Sequence, residues 1–200
     1  MQKKRTCKIY LFRHGQSTYN RGGHGKDKKF TGWKDAKLTP LGIRQAKIIA
    51  KKLRSKNIDV AYYTKLSRSK NTLKEVLKYH PECKKLIKDD RMIERSYGKL
   101  QGYKHKTIIK KYGLKKYNEW HRSYNVAPPG GESIKIVEKR VRSFIKDLLK
   151  FIKKNKVNVA ISAHGNSMRP FRRYFEKKSI KEMMKWEMPY DNYYEYCVKC

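Results

Sequence analysis

Two hundred residues with 52 Lys and Arg against 17 Asp and Glu carry a formal charge of +35, and 38 of the cations are lysines spread along the whole chain. That length fits one domain, residues 1–200, with a core of its own. No apolar stretch approaches the ~18 residues of a membrane span and no signal-peptide core opens the chain, which predicts a cytoplasmic protein. Cys7, Cys83, Cys197 and Cys200 are too dispersed for a disulfide framework. The pair Cys197 and Cys200 has no second pair to complete a zinc site, so no metal is expected.

Taken in order, the first apolar run is Ile9 to Phe12, and it ends at once in Arg13-His14-Gly15. A buried strand therefore delivers a cation and an imidazole to its end, where open α/β sheets bind ligands. Arg21 to Lys29 reads as a glycine-rich basic loop beside that end, with Gly22 to Lys29 able to cover the entrance. Thr39 and Pro40 open a helix in which Ala46, Ile49, Ala50 and Leu53 form one apolar stripe. Asp59 to Thr64 is a second strand, and Arg68 follows where its end passes into a helix running to Tyr79. On its own Arg68 is a surface arginine; beside the strand end it is a candidate ligand for an anion.

Leu86 to Asn125 is less regular. Glu94 lies there among Arg91, Arg95 and Lys99, either as their salt-bridge partner or as a general acid and base. Two short helical patterns end around Trp120-His121-Arg122-Ser123-Tyr124, and Pro128-Pro129-Gly130-Gly131 forces a turn. The longest helix starts at Glu132-Ser133, with Ile134, Val137, Val141, Phe144, Leu148 and Ile152 on one stripe. Val157 to Ala163 is a strand that ends in His164-Gly165-Asn166. Asn166-Ser167 are placed to cap the next helix and turn its N-terminal amides toward an anion. A last strand falls within Asn192 to Val198. Strands alternating with helices predict an α/β fold: a three-layer sandwich with a mostly parallel central sheet flanked by helices.

Two imidazoles, two arginines and a carboxylate around one anion suit phosphoryl transfer. A neutral histidine attacks phosphorus, and Arg13, Arg68 and a protonated His164 meet the charge on the equatorial oxygens. Glu94 then protonates the departing alkoxide. The large positive field draws small anions to such a cleft and also holds nucleic acid loosely; with no recognition module, that second binding reads as incidental. The same repulsion predicts a monomer.

Leu11 to Asn20, Phe30-Thr31-Gly32-Trp33, Glu94 to Gly102, Trp120 to Tyr124 and Ala163 to Arg169 together resemble the histidine phosphatase superfamily, and within it the phosphoglycerate mutase branch. The resemblance implies a phosphohistidine at His14, 2,3-bisphosphoglycerate as the priming cofactor, no metal, and a phosphorylated sugar acid as substrate. It also implies that 3-phosphoglycerate and 2-phosphoglycerate are interconverted in glycolysis and gluconeogenesis, with phosphomonoester hydrolysis by the same site as the alternative. By position, Arg13, Asn20, Arg68, His164, Gly165 and Asn166 would hold the transferring group. Ser17, Thr31 and Gly32 would line the pocket, and Arg95, Tyr97 and Arg122 would hold the rest of the glycerate. His105 stands where the family carries a substrate-binding lysine, flanked by Lys104 and Lys106, and His121 replaces one of a pair of arginines. A segment that many mutases carry after the double proline is missing.

Overall fold

The computed structural model describes residues 6–21 and 28–200. Five strands form one sheet: β1 (Thr6–Arg13), β2 (Val60–Tyr63), β3 (Lys85–Lys88), β4 (Val159–Ala163) and β5 (Tyr193–Lys199), in the order β3-β2-β4-β1-β5. The first four run parallel, and β5 closes one edge antiparallel to β1. β1 and β4 are the expected central strands. β3 was not foreseen, because Lys85-Leu86-Ile87-Lys88 is a short and largely exposed edge whose pattern is weakly apolar.

Among the described residues are six α-helices, α1 (Pro40–Leu53), α2 (Ser67–Leu77), α3 (His105–Arg122), α4 (Ile134–Asn155), α5 (Gly165–Glu176) and α6 (Ile180–Lys185), of which α1, α2, α4 and α5 pack on the sheet. β1 shows why both faces are covered. Cys7, Ile9 and Leu11 point into one core shared with α4 and α5, while Tyr10 and Phe12 point into another shared with α1 and α2. A third, smaller cluster of Phe30, Tyr97, Leu100, Ile108 and Trp120 supports the segment between β3 and α4.

Helix starts follow the local chemistry. The Thr39 hydroxyl accepts from Gly42 N with Pro40 at the first position, and the Ser133 hydroxyl accepts from Ile136 N. α5 begins two residues earlier than expected: His164 is the residue before the helix, and Ser167 turns back so that its hydroxyl accepts from His164 N at 3.3 Å. The expected cap at Asn166-Ser167 is corrected accordingly.

α3 joins what the sequence reads as two helices. Gly113 interrupts it with φ 78 and ψ 160, a conformation open to glycine and strained for other residues. Cys7 and Cys200 are joined by a disulfide, which corrects the expectation drawn from their spacing. They are 193 residues apart in sequence, but β1 and β5 lie side by side and bring the two ends together. Residues 22–27 of the expected basic loop lie outside the described residues. Among the described residues no helix is long and apolar enough to cross a membrane.

Candidate active site

Parallel pairing sets the site. In the register of β1 and β4, Arg13 lies opposite Ala163, so the next residue of each strand, His14 and His164, emerges at the same level. The link is continued by His14 N donating to Ala163 O at 3.0 Å. The two imidazoles lie 4.9 Å apart between centroids, and both are buried. Gly15 and Gly42 let the loop after β1 press against the start of α1; a methyl group at Gly15 would run into the Gly42 carbonyl.

The partners of His14 fix its tautomer. Arg68 Nε, which can only donate, meets His14 Nε2 at 3.2 Å. Nε2 is therefore the lone-pair nitrogen, and Nδ1–H donates to Gly15 O at 2.7 Å. Burial, then Arg68 and Arg13, hold the ring well below the ordinary histidine range, so it is neutral near pH 7. That lone-pair nitrogen lies against a guanidinium. Arg68 itself is fixed by donating to Lys34 O at 2.9 Å and to Gly32 O at 2.8 Å.

His164 pairs through Nε2 with Thr64 Oγ1 at 2.8 Å, and its Nδ1 is buried without a partner. Burial, Arg68, His14 and Arg13 also depress its pKa strongly. The protonated His164 of the sequence reading is thus neutral in the protein as it stands. Glu94 lies with both rings, the ligating atoms of the three residues all within 4.8 Å of one another. Its Oε1 accepts from Arg95 N at 2.8 Å and from Asn166 N, at the start of α5, at 3.1 Å. Two histidines and a carboxylate would be enough donors for a metal, but the Arg68 N–H occupies the lone pair of His14 and favours an anion instead.

These residues form one end of a cavity of about 610 Å³ whose wall includes Arg13, His14, Asn20, Thr31, Gly32, Arg68, Glu94, Tyr97, His105, Arg122, Gly165 and Asn166. Four expected residues are not on that wall, and one of them is His164, which is fully buried beside His14. Ser17 is fully buried, its backbone N–H donating to Asn20 Oδ1 at 2.7 Å while its hydroxyl has no partner. Lys104 caps the start of α3, and its neighbour His105 faces the cavity instead. Arg95 is the clearest difference: its guanidinium is spent on the carbonyls of Glu132, Trp120, His121 and Val126, tying the α3 end to the loop before α4.

Several wall residues were not among the candidate site residues. Lys28 belongs to the basic loop expected beside the entrance, Arg169 ends the second histidine segment and His121 stood out only as a departure from a pair of arginines, while Glu187 to Tyr190 form a side that no motif announced. Arginines hold that segment: Arg13 donates to Met188 O at 2.9 Å and stacks over Tyr190 at 3.9 Å, while Arg169 donates to Trp186 O at 2.9 Å. Arg169 lies three residues after Asn166, one helical turn on, which was the available signal.

The profile of the histidine phosphatase superfamily, branch 1, matches residues 9–198. This chain belongs to that superfamily. A 2,3-bisphosphoglycerate-dependent phosphoglycerate mutase of Cytophaga hutchinsonii is 35% identical over 88% of this chain and 80% of its own length. A phosphoglycerate mutase of Schizosaccharomyces pombe is 38% identical over 80% of this chain and 75% of its own. The fold is also that of a mycobacterial glucosyl-3-phosphoglycerate phosphatase, with a TM-score of 0.77 and 23% identity, covering 92% of this chain and 86% of that one. Proteins named as mutases are thus relatives of this chain, and one named as a phosphatase shares its fold.

Proposed function

We propose that this member of the histidine phosphatase superfamily is a phosphoglycerate mutase, working through a phosphohistidine at His14 and primed by 2,3-bisphosphoglycerate. The observation that carries the reading is the spread of cations along the cavity wall. Besides Arg13 and Arg68 at His14, the wall carries Lys28, Arg122 and Arg169, so the space suits a small molecule with more than one anionic group. The naming of the curated relatives as mutases agrees with it.

In the reaction, His14 Nε2 attacks the phosphorus and Arg68, Arg13 and the Asn166 amide receive the oxygens, whose charge is best met by donors already in place. Glu94 gives its proton to the departing alkoxide and takes one back when the other hydroxyl attacks the phosphohistidine. The glycerate has to stay bound between the two halves. With Arg95 withdrawn from the cavity and a histidine at 121, its hold is looser than two more cations would make it, and hydrolysis is the expected side reaction.

Incubation with labelled 2,3-bisphosphoglycerate, followed by assays of 3-phosphoglycerate isomerisation and of phosphate release from a panel of phosphomonoesters, tests the reading. Acid-labile, base-stable label on His14 and cofactor-dependent isomerisation well above hydrolysis are expected. Stoichiometric label on His14→Ala, or efficient hydrolysis of many esters with negligible isomerisation, overturns it. The protein should act in the cytoplasm as a monomer, and a stable dimer in light scattering at moderate salt would contradict the latter.

A further inference from the structure

His105 and His121 open and nearly close α3, sixteen positions apart; an unbroken helix would separate them by about 24 Å. Their rings are 5.1 Å apart. The interruption at Gly113 folds the second half of the helix back on the first. No atom lies within 4 Å of a Cβ built there, so glycine is needed for its backbone conformation and not for space. Both rings face the far end of the cavity.

This pair is set in an aromatic box. Phe30 stacks on His105 at 4.3 Å and meets His121 edge-on at 5.6 Å. The Tyr117 hydroxyl pairs with His105 Nδ1 at 2.9 Å, whereas His121 Nδ1 is buried with no hydrogen-bond partner among the described residues. The charged and titratable groups packed around it come from every side. They are Lys28 before Phe30, Arg95 and Tyr97 on the segment after Glu94, Arg122 on α3, Arg169 on α5, and Glu187 and Tyr190 before β5. Burial and these cations keep both imidazoles neutral, His105 lowered to about 4 and His121 to about 3. An anion brought to within ~4–6 Å acts in the opposite sense and raises an imidazole by about one to three pH units.

We propose that binding of the acid end of the substrate is proton-coupled: an anionic end group seated against Lys28, Arg122 and this histidine pair brings one proton from solvent onto His105 or His121. The proton returns to solvent when the ligand leaves. The site consequently selects a phosphorylated acid over a phosphorylated alcohol more strongly as pH falls. The inference rests on the reading of the cavity as a site for a phosphorylated acid.

Calorimetric titrations with 3-phosphoglycerate and with glycerol 3-phosphate, each in buffers of different ionisation enthalpy, count the protons taken up. The alcohol controls for protons exchanged at the phosphoryl pole. At pH 5.5 the acid should take up about three-quarters of a proton more than the alcohol, falling toward zero by pH 7.5, and its relative affinity should tighten about fourfold over that range, for a rise of about two pH units from the His105 value of about 4. His121→Asn and His105→Gln should each reduce the excess uptake, and together abolish it. Binding of the acid with the same proton count as the alcohol overturns the inference while leaving the mutase reading intact. Failure of 3-phosphoglycerate to bind overturns both. Should a variant fail to fold, the wild-type proton count still decides.

Discussion

Arg68→Lys separates charge from geometry at the phosphoryl pole. The native guanidinium is 1% exposed and divides its donors among His14 Nε2, Lys34 O and Gly32 O. A lysine keeps the charge but presents one compact ammonium on a flexible stem, and it cannot hold two carbonyls and face the nucleophile together. One buried carbonyl left without its charged donor costs about 1–3 kcal/mol, so the melting temperature should fall by several degrees. The catalytic loss should be larger. Removing one preorganised donor to a developing charge costs roughly 10²–10³ in kcat. Urea titration and steady-state isomerisation, with stopped-flow labelling of His14, measure the two effects separately. Isomerisation within about threefold of wild type, with full stability, would show that Arg68 neither fixes the His14 tautomer nor meets the phosphoryl oxygens.

Gly113→Ala should destabilise by about 1–3 kcal/mol from its positive φ and raise KM for 3-phosphoglycerate more than it lowers kcat; an unchanged KM would show that the fold-back of α3 does not position the far end. Acid should unfold the protein steeply. The pKa values of His14, His164, His105 and His121 are all depressed in the folded state, the last two to about 4 and about 3, so below the unfolded value of ~6.5 the unfolded chain binds more protons. The stabilisation from keeping each ring neutral is present above that value and is lost by about 1.4 kcal/mol per pH unit and per histidine as pH falls toward the folded pKa. Denaturant melts between pH 7 and 5 check this, and a flat profile would refute it. Binding to duplex DNA should be indifferent to sequence and weaken by roughly 10³-fold between 50 and 200 mM salt, as filter binding would show; salt-resistant binding would point to a dedicated interface.

The catalytic end of the molecule was legible because it lies on the two most regular signals in the chain. Ile9 to Phe12 and Val159 to Ala163 are apolar on both faces, and a central parallel strand needs that; the histidines after them can only emerge at the sheet's end. The far end of the cavity depends on tertiary choices that leave no periodic trace. Arg95 and Arg122 are both loop or helix-end arginines beside aromatic residues, yet one finds four carbonyls and the other the cavity. Nothing local distinguishes them. Glu187 to Tyr190 was invisible because an irregular segment is placed by what grips it, here Arg13 and Arg169. His121 stood out only as a departure from a family pattern, and its nearness to His105 required knowing that Gly113 turns the chain.

These two ends are held differently, and the difference bears on how one scaffold supports both mutases and phosphatases. At the phosphoryl pole every donor is fixed by something that does not depend on substrate: Arg68 by two carbonyls, Arg13 by Met188 O and the Tyr190 ring, and the His14 proton by Gly15 O. Attack on phosphorus then needs little more than the transfer of the Arg68 Nε–H from His14 Nε2 to a phosphoryl oxygen, whatever alcohol the phosphoryl group leaves. The far wall carries Lys28, Arg122, Arg169 and two imidazoles packed on aromatic rings and held neutral. On the mutase reading proposed above, whether the intermediate stays for the return transfer or gives way to water turns on how tightly the acid end is gripped there. Changes there should redistribute isomerisation and hydrolysis while leaving the rate of His14 phosphorylation nearly unaltered, whereas changes to Arg68 should depress both products together.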